Sequence, residues 1–482
     1  MNYKLVGKFI AHILSIEVLF MLPAIAISLH DNDSVAIKAF LYTFLIFILC
    51  IALLYLFARN QKVGFYAKEG LVCVGLGWIA LGIMGCLPFY ISKEIPFFID
   101  AFFETVSGFT TTGASILTNV EGLSRGMLYW RSFTHWLGGM GILVFLLVFI
   151  PSTSNGFTMH IMRAESPGPN VGKLVPRMRQ TAIILYSLYI LLTVLDVTFL
   201  LFGGLPLFDS VCIAFGTAGT GGFGILNSSI ASYSPYIQNV CTVFMILFGF
   251  NFGCYYLLLL GGFKAFFSDE ELRLYIGIIL VSITLIVLNL ASYYPTLEET
   301  IRHAAFQVAS IMTTTGFATT DFDLWPSFSK AILLCLMMVG ACAGSTGGGL
   351  KCGRLLLLVK ILLRNIKQVL RPNEIQAIRV NKQLVDERVL SNTNAYLAAY
   401  VLIVLTSFLI ISVDGFSMIT NFSAVIACFN NIGPGFETVG ATCNYASFSP
   451  FSKIVLIINM LAGRLEIFPI LVLFNKNVWI RR

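Results

Sequence analysis

One short phrase recurs four times in this chain: about a dozen mostly apolar residues that break into a Thr- or Gly-rich turn. The copies are Ile99–Ser115, Phe208–Gly224, Arg302–Ala318 and Ile419–Gly435. Aligned without gaps, Gly113, Gly222, Gly316 and Gly433 share one column, each thirteen residues after Asp100, Asp209, His303 and Thr420. The apolar run is too short to cross a bilayer. From Asp100 to Thr110 it gives roughly 15 Å of helix, about half the hydrocarbon thickness. Irregular backbone at that depth persists only where it is buried in protein or lines a cavity. Four half-helices in register, each ending in a turn, therefore predict a ring of backbone carbonyls around a cation. The partially negative helix ends favour a cation there as well.

Composition fixes the setting. Of the 482 residues 57% are apolar and 11% charged, more apolar surface than a soluble chain of this size can hide. About 20 apolar residues span a bilayer as helix, and ten stretches qualify: 5–29, 36–58, 69–91, 128–150, 181–202, 236–263, 272–292, 329–363, 391–413 and 451–474. The expected fold is an all-α membrane protein with ten spanning helices, in four pseudo-fourfold helix–pore-loop–helix repeats around one pore plus two N-terminal helices. The divisions are 1–65 (two leading helices), 66–160, 161–265, 266–388 and 389–482, one pore repeat each. All four repeats point the same way, unlike the inverted repeats of many carriers. The leading apolar run is longer than a signal peptide's and reads as a retained helix. The 11 cysteines show no CxxC pair, so packing rather than disulfides or metal ligation is expected of them.

Basic residues orient the helices. Lys4, Lys8, Arg59, Lys62, Lys68, Arg163, Lys173, Arg177, Arg179, Lys264, Arg273, the nine between Lys351 and Arg388, and Lys476, Arg481 and Arg482 all fall on one side. The positive-inside rule places both termini in the cytoplasm and the four turns outward. The net charge of +7 fits this topology and contact with anionic membrane lipid, and gives no support to nucleic-acid binding.

Backbone carbonyls and Thr hydroxyls replace a hydration shell without a fixed negative charge that would trap the ion, and glycine permits the twist that aims carbonyls inward. The candidate filter residues are Thr110, Thr111, Thr112 and Gly113; Gly219, Thr220, Gly221 and Gly222; Thr313, Thr314, Thr315 and Gly316; and Asn430, Asn431, Ile432 and Gly433. Asp100 and Asp209 read as N-caps of the half-helices. Below the third turn the eighth stretch is interrupted by six glycines between Gly340 and Gly353, which cannot hold a regular helix in lipid. Gly344, Ser345, Thr346, Gly347, Gly348 and Gly349 are the candidate gate. Their order does not match a phosphate-binding GxxxxGK[ST] loop. Arg464 is an intramembrane charge and hence a candidate functional residue. Glu466, two residues on, lies on another helix face.

The segments GFTTTGAS, TTTGF, NNIGPGF, GGMGI (Gly138–Ile142), CAGSTGGGLK (Cys342–Lys351) and GRLEIF (Gly463–Phe468) together resemble the bacterial potassium-uptake family of TrkH, TrkG and KtrB proteins, over nearly the whole chain. The two leading helices and NNIGPG favour TrkH or TrkG. The resemblance implies a bacterial inner-membrane potassium transporter, a homodimer with one ion path per subunit, controlled by a cytosolic TrkA-like nucleotide-binding ring. It further implies that Arg464 reaches the intramembrane loop as an electrostatic barrier. Potassium is then cargo, and no organic cofactor or enzymatic chemistry is expected. No copy is the TVGYG of ordinary potassium channels, so a shorter and less strict filter is expected.

Two other readings stay open. A proton- or sodium-coupled symporter would need a titratable site, for which Asp196, Glu104 and His135 are the candidates. A membrane scaffold for a cytosolic nucleotide-binding protein would leave four turns without a purpose. His135 reads as a packing or backbone-bonding residue. Asp321, Asp323 and Glu437, just outside the turns, read as solvated loop charges or as acids that concentrate cations at the mouth. The basic segment 351–388 is a topology signal or a docking surface.

Overall fold

The computed structural model describes residues 1–59, 67–141, 178–374 and 376–479. Lys62, Arg163, Lys173, Arg177, Arg481, Arg482 and the end of the fourth expected stretch lie outside them. Among the described residues the regular structure is helical, save one two-stranded antiparallel hairpin pairing Arg379–Val380 with Gln383–Leu384.

Among the described residues six helices are long and apolar enough to cross a membrane: Tyr3–His30, Ser34–Phe57, Glu69–Ser92, Gln180–Phe202, Glu270–Asn289 and Glu387–Asp414. They match six of the ten expected stretches. Of the other four, 329–363 is interrupted at its glycines as expected, 236–263 and 451–474 are broken where no break was expected, and 128–150 is described only as far as residue 141. Pro235–Phe248 and Phe252–Leu259 meet at a bend of 86°. Ser327–Val339 stops before the Gly-rich loop, Pro450–Arg464 before Phe468–Leu473, and Arg125–Gly139 ends among glycines. Two of the helix ends sit where helix backbone meets pore-helix backbone. A Cβ on Gly138 would strike the Phe109 carbonyl, and one on Gly463 the Phe429 carbonyl. Only glycine allows that approach, and glycine weakens the helix that carries it.

The four short helices are Phe98–Phe109, Leu207–Ala218, Leu297–Met312 and Met418–Phe429, hereafter pore helices one to four. Each packs against its own two flanking helices. Each also packs against a short helix from the neighbouring repeat: the first against Pro450–Arg464, the second against Arg125–Gly139, the third against Pro235–Phe248, the fourth against Ser327–Val339. The arrangement closes on itself, with the last repeat touching the first.

The N-cap expectation is corrected. The caps are Phe97 and Pro206, neither making a side-chain capping bond, while Asp100 and Asp209 lie inside the first turn. In the fourth copy Ser417 is the cap, accepting from Thr420 N–H, and in the third it is Thr296. A carboxylate in the first turn still opposes the helix dipole, so the acid is useful one turn later than a cap. Asp100 instead accepts from Lys453 Nζ at 2.6 Å, tying the first pore helix to Pro450–Arg464.

Candidate ion pathway

All four turns share one backbone design. The residue two before the common glycine is left-handed each time: Thr111 (φ 54°), Thr220 (52°), Thr314 (58°) and Asn431 (55°). The glycines themselves have φ of 77°, 77°, 86° and 96°. The N–H groups turn back into the pore helix. Thr112 donates to Ser107 O, Gly221 to Gly216 O, Thr315 to Ser310 O and Ile432 to Ala427 O, each at 2.8 Å. The preceding N–H bonds the carbonyl three residues back: Thr111 to Gly108 and Thr220 to Thr217 at 3.0 Å, Thr314 to Ile311 at 3.1 Å, Asn431 to Cys428 at 3.4 Å. This is the Schellman ending, with Thr or Asn where glycine is usual. Because it consumes the donors, the turn's carbonyls are left for something else.

Those carbonyls meet. A Cβ on Gly113 would strike Gly221 O, one on Gly222 would strike Thr315 O, and one on Gly316 would strike Ile432 O. On Gly433 it would stand 2.7 Å from Thr112 O, completing the circuit. Equivalent carbonyls from Thr112, Gly221, Thr315 and Ile432 thus stand in one ring. Gly113, Gly222, Gly316 and Gly433 all line a single cavity of about 210 Å³. Two expected hydroxyl pairs are engaged sideways: Thr110 with Thr112 at 2.8 Å and Thr313 with Thr315 at 2.7 Å. Thr110 and Thr313 also donate to Val106 O and Ala309 O, both at 2.7 Å. Thr220 donates to Gly219 O at 2.7 Å. Asn430 Nδ2 donates to Tyr400 Oη at 2.9 Å, and Asn431 Nδ2 to Thr112 Oγ1 at 3.0 Å.

The Gly-rich loop lies directly beneath. Its neck is closed by Lys351 N–H to Val339 O and Cys352 N–H to Ala341 O, both 2.9 Å. Gly348 N–H donates to Thr314 Oγ1 at 2.6 Å. A Cβ on Gly347 would stand 2.8 Å from Thr313 O, and one on Gly348 would strike Asn430 O. Ser345 Oγ donates to Cys342 O at 2.7 Å, and Gly344 O accepts from Phe252 N–H at 3.1 Å. Gly349 packs on Gly340. Arg464 crosses the remaining gap. Its Nη1 donates to Thr346 O at 2.8 Å and to Thr111 Oγ1 at 3.2 Å, while Nη2 donates to Gly138 O and Gly139 O.

The sequence of this chain matches the family model for TrkH, described as a cation transport protein, over residues 36–479. It is 39% identical over 448 residues to the Trk system potassium uptake protein TrkH of Salmonella typhimurium strain LT2, covering 92% of each chain. The chain belongs to the TrkH family. A TrkG of Escherichia coli K12, also named a Trk system potassium uptake protein, is 31% identical over 96% of this chain and 95% of that one. The crystal structure of the potassium transporter TrkH from Vibrio parahaemolyticus superimposes with a TM-score of 0.89 at 31% identity, covering 100% of both chains.

Within this TrkH-family chain three buried charges have partners that sequence reading missed. Glu466 pairs with Arg354, whose guanidinium also lies 3.9 Å from the Tyr396 ring centroid. Lys351 Nζ donates to Gly347 O inside the loop. Arg131 Nε donates to Glu104 Oε1 at 2.7 Å, its Nη1 to Gly224 O at 2.9 Å, and its guanidinium stacks 3.5 Å from the Phe223 ring centroid. An Arg six residues into an apolar helix was the available signal. Glu104, a candidate coupling site, is thus paired with Arg131, and also accepts from Ser115 Oγ and Ile116 N–H at 2.9 Å. His135 bonds backbone: Nε2 accepts from Phe223 N–H at 3.3 Å, and a Cβ on Gly221 would strike its ring. Asp323 and Glu437 are joined, Glu437 N–H donating to Asp323 Oδ2 at 2.7 Å.

Proposed function

We propose that this chain takes up potassium across the bacterial inner membrane as the membrane subunit of a Trk-type system. The single observation that carries the reading is the closed circuit of four equivalent carbonyls and four glycines around one cavity. Such a ring replaces part of a cation's hydration shell while holding no net charge. The related proteins' names supply potassium as the cargo. In this reading the ten stretches form four like-oriented units, with the breaks marking where each second helix passes behind the filter. Both termini face the cytoplasm, and two copies assemble with a cytosolic TrkA-like nucleotide-binding ring.

The Gly-rich loop and Arg464 act as the gate. The loop sits against Thr313, Thr314 and Asn430 at the filter's inner edge, and Arg464 adds a positive charge on the same path. Its four acceptors belong to the first turn, the loop and the helix Arg125–Gly139. A guanidinium bound to four oxygens is oriented as well as charged. Moving the loop aside removes the Thr346 acceptor and frees the arginine to swing.

Passive cation flux into sealed liposomes containing the purified protein, with potassium, rubidium, sodium and lithium compared, tests this. Selective potassium and rubidium entry without a proton gradient supports a gated filter. Entry of no cation, even for Arg464→Ala, counts against it. A coupled symporter has one observation in its favour: Asp196 is fully buried beside Thr217, whose hydroxyl is committed to Ile213 O at 3.0 Å. That reading requires flux that follows an imposed proton gradient and loses the response in Asp196→Asn.

A further inference from the structure

The helix Glu270–Asn289 opens with three consecutive acids, and each grips something different. Asp269 Oδ1 caps the helix by accepting from Leu272 N–H at 2.9 Å, and Oδ2 accepts from Asn381 Nδ2 at 2.7 Å. Glu270 Oε1 accepts from Asn381 N–H at 3.0 Å, and its own N–H donates to Asn381 Oδ1 at 2.9 Å. Glu271 points the other way. Its Oε1 accepts from Ala343 N–H at 2.6 Å, at the residue where the Gly-rich loop begins. On the loop's far side, a Cβ on Gly353 would stand 3.0 Å from the same oxygen. One carboxylate therefore touches both ends of the loop.

Asn381 sits at the tip of the hairpin Arg379–Leu384, where it and Lys382 have φ of 50° and 65°. Two left-handed residues in a two-residue hairpin turn make a stiff, twisted corner. Asn381 is exposed, yet three hydrogen bonds lock it to the same helix start that holds the loop. Lys360 adds a strut, donating to Glu270 and, at 2.6 Å, to Arg379 O. Successive residues of one helix terminus cannot move independently, so displacement of the hairpin tip is transmitted to Glu271 with little slack.

We propose that Glu271 is the positioning residue of the gate loop, and that the Asn381 hairpin tip is the lever acting on it from the protein surface. The proposal rests on reading the loop as the gate. With the hairpin seated, Glu271 holds Ala343 and the loop stays under the filter. Pulling the hairpin away draws the helix start with it and loosens the Ala343 contact.

The test is passive rubidium flux into liposomes holding the full chain, as wild type, Glu271→Ala, Glu271→Gln, Asn381→Ala, Glu271→Ala with Asn381→Ala, and Arg464→Ala. Loss of a hydrogen bond to a charged group should raise Glu271→Ala flux about tenfold. Glu271→Gln keeps an acceptor and should rise less. Asn381→Ala should rise about threefold, as its bonds are exposed and weaker, and should add nothing in the Glu271→Ala background. Wild-type flux in Glu271→Ala and Glu271→Gln alongside raised flux in Arg464→Ala overturns the positioning role and leaves the gate. Effects of Glu271→Ala and Asn381→Ala that multiply overturn the lever, because a residue acting through another cannot act without it. Unchanged flux in every variant, Arg464→Ala included, overturns the gate and the proposal together. Asn381→Gly, which suits the φ of 50° and loses the same side-chain bonds, is the companion hairpin variant and should match Asn381→Ala, with thermal unfolding in detergent checking that both keep the fold.

Discussion

Arg464 Nη1 donates to the Thr111 hydroxyl across 3.2 Å, joining two residues 353 positions apart. The contact links the left-handed corner of the first filter turn to the end of the helix Pro450–Arg464. The same nitrogen also holds Thr346 O at 2.8 Å, so one side chain reports on filter and loop at once.

Arg464→Ala should raise passive rubidium flux at least about tenfold, as charge-assisted bonds to the loop are lost. Arg464→Lys should fall between, since lysine keeps the charge but cannot span four acceptors in a plane. Liposome flux measured for the three proteins checks this, and equal rates for all would remove Arg464 from the gate.

Gly113→Ala should abolish potassium-selective flux. The residue is left-handed at φ 77° and its Cβ would strike Gly221 O, adding overlap to a backbone cost of about 1–2 kcal/mol. Growth rescue of a potassium-uptake-deficient host in low potassium is the readout, with membrane insertion verified by immunoblot. Rescue equal to wild type would show that the carbonyl ring is dispensable.

Breaking the Arg131–Glu104 pair from one side should be worse than removing both. Arg131→Met leaves a buried carboxylate without its cation, a loss of about 3–5 kcal/mol. Arg131→Met with Glu104→Gln should recover part of it. Thermal unfolding in detergent of the two variants and wild type gives the order, and a double variant less stable than the single one would contradict the account.

Glu437, beside the fourth turn, supplies a pH-dependent case. Hydrogen bonds from the Ser417 and Thr420 hydroxyls hold its carboxyl below the ordinary value of 4.5. A depressed folded-state value means the stabilisation is present above the ordinary value and disappears as pH falls through the folded one. The gap in melting temperature between wild type and Glu437→Gln should therefore be full at pH 7 and close as pH falls well below 4.5, through the depressed folded-state value. A gap that does not change with pH would mean the charge contributes nothing there.

Much of this was legible in the sequence, and the reasons are local. The common glycine column is visible because a left-handed residue with a carbonyl against it tolerates nothing else. The Gly-rich interruption is visible because six glycines cannot stay helical in lipid. The loop's position under Thr314 and Asn430 follows from packing between repeats, which spacing along one chain does not encode. The pairing of Arg354 with Glu466, 112 positions apart, is equally silent. The shared helix breaks at Gly139 and Arg464 were obscured because hydropathy runs smoothly through them. The N-cap column failed by one turn, since an acid suits the cap and the first turn alike.

The circuit of turns has a consequence for how the protein is made. In a channel of four identical subunits, each chain brings one quarter of the filter and assembly closes the ring. Here Gly433 stands against Thr112 of the same chain, so closure waits for the fourth pore helix to leave the ribosome. A nascent or truncated chain that ends before residue 433 carries three quarters of a filter and no closed ring. Each quarter is also encoded once, so a single substitution alters one side of the ion's coordination shell and leaves the other three as they were.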